Sequence, residues 1–154
     1  MHFEKLQRGE IIACIGGLLL AISVFLPWYH TTDGNPNSVV DGAHGGFSAW
    51  DAHPIARWLF LLGAAAPFIL AWIVVREHQL SWPRGELTAI AGITALVLAL
   101  VLGFIARPGE PRDTIHLQLL GGWGLALVAS IVIIVGALQR TKESEAVRKP
   151  PGVM

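Results

Sequence analysis

Charge is scarce in this chain of 154 residues. Asp, Glu, Lys and Arg together make up 14% of it, where an ordinary soluble domain carries about a quarter. Cysteine is nearly absent. Cys14 stands alone, so neither an intrachain disulfide nor a cysteine-rich metal site can form. Its place inside an apolar run makes it a small packing residue. Also missing are a nucleophile–base pair and a glycine-rich loop of the kind that cradles phosphate, so no enzyme is expected. Lys and Arg are missing altogether from residues 30–54.

What is present is apolar length. Hydrophobic residues make up 53% of the chain, and the mean hydropathy is +0.57. Four runs account for this: 11–29, 55–75, 87–106 and 117–138. Each is close to the roughly 20 residues that cross a bilayer as a helix. Arg57, near the start of the second run, is the only charge in them, and its long stem lets the guanidinium reach the headgroups. Helices of a soluble core keep a polar face; these have none. The first run is not a signal peptide, because it ends in the bulky "SVFLPWYH" where a small-residue cleavage site belongs. Nor is "IIAC" at 11–14 a lipoprotein box, since the charged stretch ahead of it leaves no room for an apolar leader. The expected fold is an all-α membrane protein, a four-transmembrane-helix bundle over residues 1–138 with an outer loop at 30–54 and a disordered cytoplasmic tail at 139–154.

Lys and Arg in the short flanks orient such a bundle. Lys5, Arg8, Arg76, Arg84, Arg140, Lys142, Arg148 and Lys149 fall on one side, and only Arg57, Arg107 and Arg112 on the other. Both termini are therefore expected in the cytoplasm, with the loop at 30–54 outside, in a bacterial cell membrane. The six tryptophans cluster at the run ends, Trp28, Trp50, Trp58 and Trp123 outside and Trp72 and Trp82 inside. Each reads as an anchor at the headgroup boundary.

Arg-Gly-Glu occurs twice, at 8–10 and 84–86, each time opening an apolar run. At that offset of 76 residues the runs also share Ala13/Ala89, Gly16/Gly92, Leu20/Leu96 and Leu26/Leu102. "LFLLG" at 59–63 and "LQLLG" at 117–121 match at an offset of 58. The pattern reads as a tandem duplication of a helical hairpin about a pseudo-two-fold axis along the membrane normal, as in some transporters. Locally, the Arg reaches phosphate headgroups, and the Glu meets the positive end of the helix dipole. A paired Glu10/Glu86 ion site is the functional alternative. Small residues supply the packing faces: Ala13/Gly17, "GAAAP" at 63–67, Ala91/Ala95, Ala99/Gly103 and Gly122/Ala126. Pro67 is expected to kink the second helix.

The outer loop holds the only concentrated polar chemistry, with His30, His44 and His53 beside Asp33, Asp41 and Asp51. A metal site of His44, His53, Asp41 and Asp51 is the candidate, since imidazole and carboxylate together hold zinc or copper. "DGNPN" begins like a calcium loop but fails at its later positions, Ser38 and His44. The plainer reading is a turn-rich solvated loop. Ser48 and Asp51 have capping-box spacing, which predicts a short interfacial helix before the second run. A bis-histidine haem needs facing intramembrane histidines, whereas His30, His53, His78 and His116 sit at run ends; no cofactor is expected.

The pattern "RGExxAxxGGxLLxxSxFLPWY", with "FSAW" before the second run and "RPG" after the third, resembles a group of small four-helix membrane proteins of actinobacteria and related soil bacteria. Its specific stretches are "FLPWY" and "SAW", and His30, His44 and His53 depart from it. The resemblance implies a four-helix membrane fold and carries no activity. The expected function is association without catalysis, as an accessory subunit or envelope scaffold, with the bilayer and other membrane subunits or further copies as partners and no nucleic acid. Small-solute or metal handling by the outer loop is the alternative, and a haem-binding electron-transfer subunit a third.

Overall fold

The computed structural model describes residues 6–32, 35–36, 38–76, 84–109 and 117–148. Four long helices form it: α1 (Arg8–Phe25), α3 (Ala56–Val75), α4 (Arg84–Phe104) and α5 (Gly121–Arg148). All four are long and apolar enough to cross a membrane. Each packs on its two neighbours in the ring α1–α3–α4–α5, so the bundle runs up, down, up, down.

Small side chains line much of its interior, and large aliphatic ones cover its exterior. Ala13, Ala64, Ala95, Ala99, Ala126, Ala129 and Ala137 are buried, while Ile11, Ile15, Leu18, Ile22, Ile93, Val97, Ile131 and Val135 face outward. Water would reject that surface. In lipid it is the expected arrangement, since close backbone approach, rather than apolar burial, holds membrane helices together.

The approach is closest around α5. A Cβ on Gly9 would meet Gly136 O at 2.6 Å, and one on Gly136 would meet Ala13 N at 2.5 Å. Gly16 rests on Ile133 and Ala129. From the other side Gly85 rests on Ala137 and Thr141, and Gly92 on Ile133 and Ile134. Both Arg-Gly-Glu segments therefore press a glycine against one helix, α5.

The first run does not stay helical to residue 29. Pro27 restricts the residue before it, and Leu26 is extended at φ −83°, ψ 155°, so α1 ends at Phe25 and residues 27–31 become a strand, β1 (Pro27–Thr31). It is the centre of a small antiparallel sheet, between β2 (Gly46–Ser48) and β3 (Leu117–Leu119), where the fourth run had been expected to start as helix. Tyr29 stands opposite Phe47 on one side and Leu119 on the other. The short helix α2 (Ala49–Ala52) follows β2 and has the expected capping box, the Ser48 hydroxyl accepting from Asp51 N at 3.2 Å and the Asp51 carboxylate accepting from Ser48 N at 3.2 Å.

At the other end of the chain α5 runs on through 139–148, where a disordered tail was expected. This stretch is rich in good helix formers, Gln139 bonds Glu143 one turn on at 3.3 Å, and Gly9 and Gly85 press against Arg140 and Thr141.

Candidate functional site

Helix ends leave carbonyls without intrahelical partners. At the sheet end of the bundle, side chains from the connections satisfy them. The Trp28 indole donates to Ser23 O at the end of α1, 2.7 Å away. The Tyr29 hydroxyl donates to Leu102 O at the end of α4, 3.0 Å away. Arg107 donates from Nε to Gly103 O at 2.6 Å and from Nη1 to Leu117 O at 3.4 Å. A cation there also suits the negative end of the α4 dipole.

Trp28 and Tyr29 are consecutive, yet both are fully buried. A simple strand would send one of them to each face. The irregularity in pairing between Pro27 and Tyr29 rotates both inward, as bulges do. Trp28 then packs edge-on against Phe60, ring centroids 5.2 Å apart. It is a core residue, so its reading as a headgroup anchor is corrected. Trp123 is likewise turned in, donating to Ala99 O at 2.8 Å. Trp58 and Trp72, both half-exposed, suit the anchor role. Trp82 lies outside the described residues.

The Tyr29 hydroxyl has a second partner. His53 Nε2 lies 2.9 Å from it. The phenol's one proton goes to the Leu102 carbonyl, which can only accept, so His53 donates from Nε2 and is the Nε2–H tautomer. Burial pushes His53 down to about 4 and raises Tyr29, with Arg107 pulling Tyr29 the other way. One buried cluster, Tyr29–His53, thus ties β1, the turn before α3 and the end of α4.

The proposed metal ligands have separate roles. His53 bonds Tyr29. Asp51 is occupied by Ser48, whose hydroxyl donates to it at 2.6 Å. Asp41 and His44 are exposed around a tight turn closed by the Val40–Ala43 bridge, with Asp41 at φ 50° and Gly42 at φ 77°. Among the described residues no three His, Cys, Asp or Glu side chains group as a metal would require. The loop is also less solvated than its composition implies: Val40 and Ser38 are buried, and the Ser38 hydroxyl accepts from Thr32 N at 2.9 Å. His30 donates from Nδ1 to Thr31 O at 2.6 Å. Asp33, His78 and His116 lie outside the described residues.

The opposite end holds the pair that reading the sequence missed. Glu10, 6% exposed, forms an ion pair with Arg140 of α5. Its other oxygen accepts from Gln7 N at 2.9 Å, serving the helix start as expected. A cavity of about 10 Å³ beside the pair, lined by Gly9, Ala13, Pro67, Thr88 and Gly136 among others, has room for about one water. Glu86, the counterpart of Glu10, is exposed, so the two carboxylates share no site. The missed signal was helical phase. Glu10 lies three and seven residues before Ala13 and Gly17 on the packing stripe, and Arg140 three and four after Ala137 and Gly136.

No protein-family model, curated protein or solved structure matches the chain.

Proposed function

We propose that the protein works by association in a bacterial cell membrane, as an accessory subunit or scaffold with no catalytic chemistry of its own. One observation carries this reading: most of the polar side chains inside the bundle are engaged within it. Glu10 is held by Arg140, Tyr29 by His53 and Leu102 O. The buried hydroxyls of Ser23 and Ser130 bond back to Leu20 O and Ala126 O in their own helices, at 2.6 and 2.8 Å. Groups committed in this way stabilise a fixed shape and leave little for a substrate. What the molecule offers its surroundings is an outer face of large aliphatic side chains and a folded cap. Partners recognised there are other membrane subunits or further copies, with the cap outside and both termini in the cytoplasm.

The test is mild extraction of a tagged chain from native membranes, followed by mass spectrometry and an absorption spectrum of the same material. A stoichiometric membrane companion or a homo-oligomer, without visible absorption, is expected. Recovery as a partner-free monomer that transports a solute by itself would overturn the proposal.

A further inference from the structure

The sheet end carries an aromatic–cationic cluster that the bundle does not use. Arg57, one residue into α3, lies over two indoles, its guanidinium carbon 4.5 Å from the Trp50 ring centre and 5.8 Å from that of Trp58. Phe25 stacks on Trp50 at 5.2 Å, and Trp50 meets Trp58 edge-on at 5.4 Å. A guanidinium has five N–H donors. Among the described residues this one makes a single hydrogen bond, from Nη1 to Trp50 O at 3.1 Å. Its Nε is buried without an acceptor. Among the described residues no carboxylate pairs with it. Nor does an acidic side chain occupy the first turn of α3, where no side chain caps the helix start. A positive charge, a helix dipole of the same sign and an unsatisfied donor therefore coincide.

The surroundings limit what can neutralise them. Ile55 is 78% exposed, Phe25 58% and Trp58 54%, an apolar collar around the cation at the ends of two membrane-length helices, α1 and α3. Arg107, by contrast, is spent on two carbonyls. The missing partner must present an oxyanion to Arg57 and hydrocarbon to Phe25, Ile55 and Trp58 together. A phospholipid does both.

We propose that Arg57, with Trp50 and Trp58, is a headgroup site for the phosphate of an anionic phospholipid in the leaflet at the sheet end. Rotation of the long side chain brings the buried Nε out to the headgroup, so that the phosphate oxygens meet the Nε–Nη2 edge of the guanidinium, the planar fork that grips oxyanions through two parallel bonds. The indoles hold the guanidinium plane by cation–π contact, and an acyl chain lies along Trp58 towards Leu62. One annular lipid would thus be fixed against α3.

The test uses the full chain reconstituted in vesicles of phosphatidylcholine and phosphatidylglycerol. Spin-labelled analogues of both lipids are compared by electron spin resonance for the immobilised fraction. Wild type is expected to favour the phosphatidylglycerol label several-fold. Arg57→Gln is expected to lose a large part of that preference, Arg57→Lys a smaller part, and added inorganic phosphate to leave it unchanged. Near-ultraviolet circular dichroism, to which buried Trp28 and Tyr29 contribute, verifies that each variant is folded. Were Gln fold-breaking, Lys alone would serve, since it keeps the charge and removes the fork. A preference equal in wild type and folded variants would overturn the proposal and leave the cation to a protein partner. Displacement by inorganic phosphate would overturn it in favour of a free-anion site.

Discussion

Tyr29 has one hydroxyl and serves two partners with it. Removing that oxygen in Tyr29→Phe keeps the ring against Trp28 and leaves Leu102 O and His53 Nε2 without the hydroxyl they shared. A buried polar group so orphaned costs about 1–3 kcal/mol. The variant is expected to melt well below wild type in detergent, while Thr94→Ala, on the exposed side of α4, leaves the melting temperature unmoved. Equal melting for Tyr29→Phe and wild type would show that the cluster contributes nothing. His53 makes the same site sensitive to acid. Burial holds it at about 4 against the usual 6.5, so between these values the unfolded chain binds the proton that the folded chain refuses. Stability is then full above about pH 6.5 and falls as the pH drops towards 4. At about 1.4 kcal/mol per pH unit across that window, the loss is at most about 3.5 kcal/mol. Unfolding free energy measured from pH 7 to 4 should show the decline in wild type and a flatter profile in His53→Gln. A decline of the same depth in the variant would assign it to other groups.

At the scale of the helix, the repeated Arg-Gly-Glu has a packing explanation that differs between its copies. At Gly9 the backbone of α5 lies where a Cβ would be, and at Gly85 the Thr141 hydroxyl does, with the Ala137 carbonyl beside it. Gly9→Ala and Gly136→Ala each force backbone apart by the better part of an ångström, so both are expected to lower the melting temperature sharply. Gly124→Ala, with open space around it, should be neutral or raise it slightly, since glycine within a helix costs roughly 0.5–1 kcal/mol relative to alanine. The glutamates part company. Glu10→Gln removes the carboxylate that pairs with Arg140 between α1 and α5 and leaves it only the charge of Glu143 in its own helix, a loss on the order of 1–3 kcal/mol. Glu86→Gln, exposed, should be silent. If both glutamates proved equally dispensable in thermal melts, the ion pair would not be holding α1 to α5. Identical triplets can thus open helices of different phase. Residue identity reveals the repeat; which copy turns its carboxylate inward depends on helix rotation, set by contacts with a helix that begins over a hundred residues after the first copy.

For the whole molecule, apolar length and small-residue spacing were enough to read four helices and their packing faces, because in a bilayer those two features govern insertion and association. The sheet was not legible. Its strands are three to five residues long, two of them lie inside runs whose hydropathy reads as helix, and what starts β1 is the single Pro27. The Tyr29–His53 cluster was hidden for the same reason, since it needs the bulge that turns two consecutive aromatics inward. Orientation is the remaining large-scale inference from charge, and the structure sharpens how to test it. Arg140 is paired with Glu10, yet the rule that orients membrane helices counts Lys and Arg rather than net charge, so the bias of eight against three stands. His44 lies exposed on the turn after β1, and Glu86 exposed at the opposite end of α4. In a Cys14→Ala background, which removes the only native thiol, His44→Cys should react with a membrane-impermeant maleimide on intact cells, and Glu86→Cys only after permeabilisation. The reverse pattern would put the sheet in the cytoplasm and move the Arg57 lipid to the inner leaflet. Labelling of both on intact cells would mean that the chain has two orientations, and that its charge bias is too weak to choose between them.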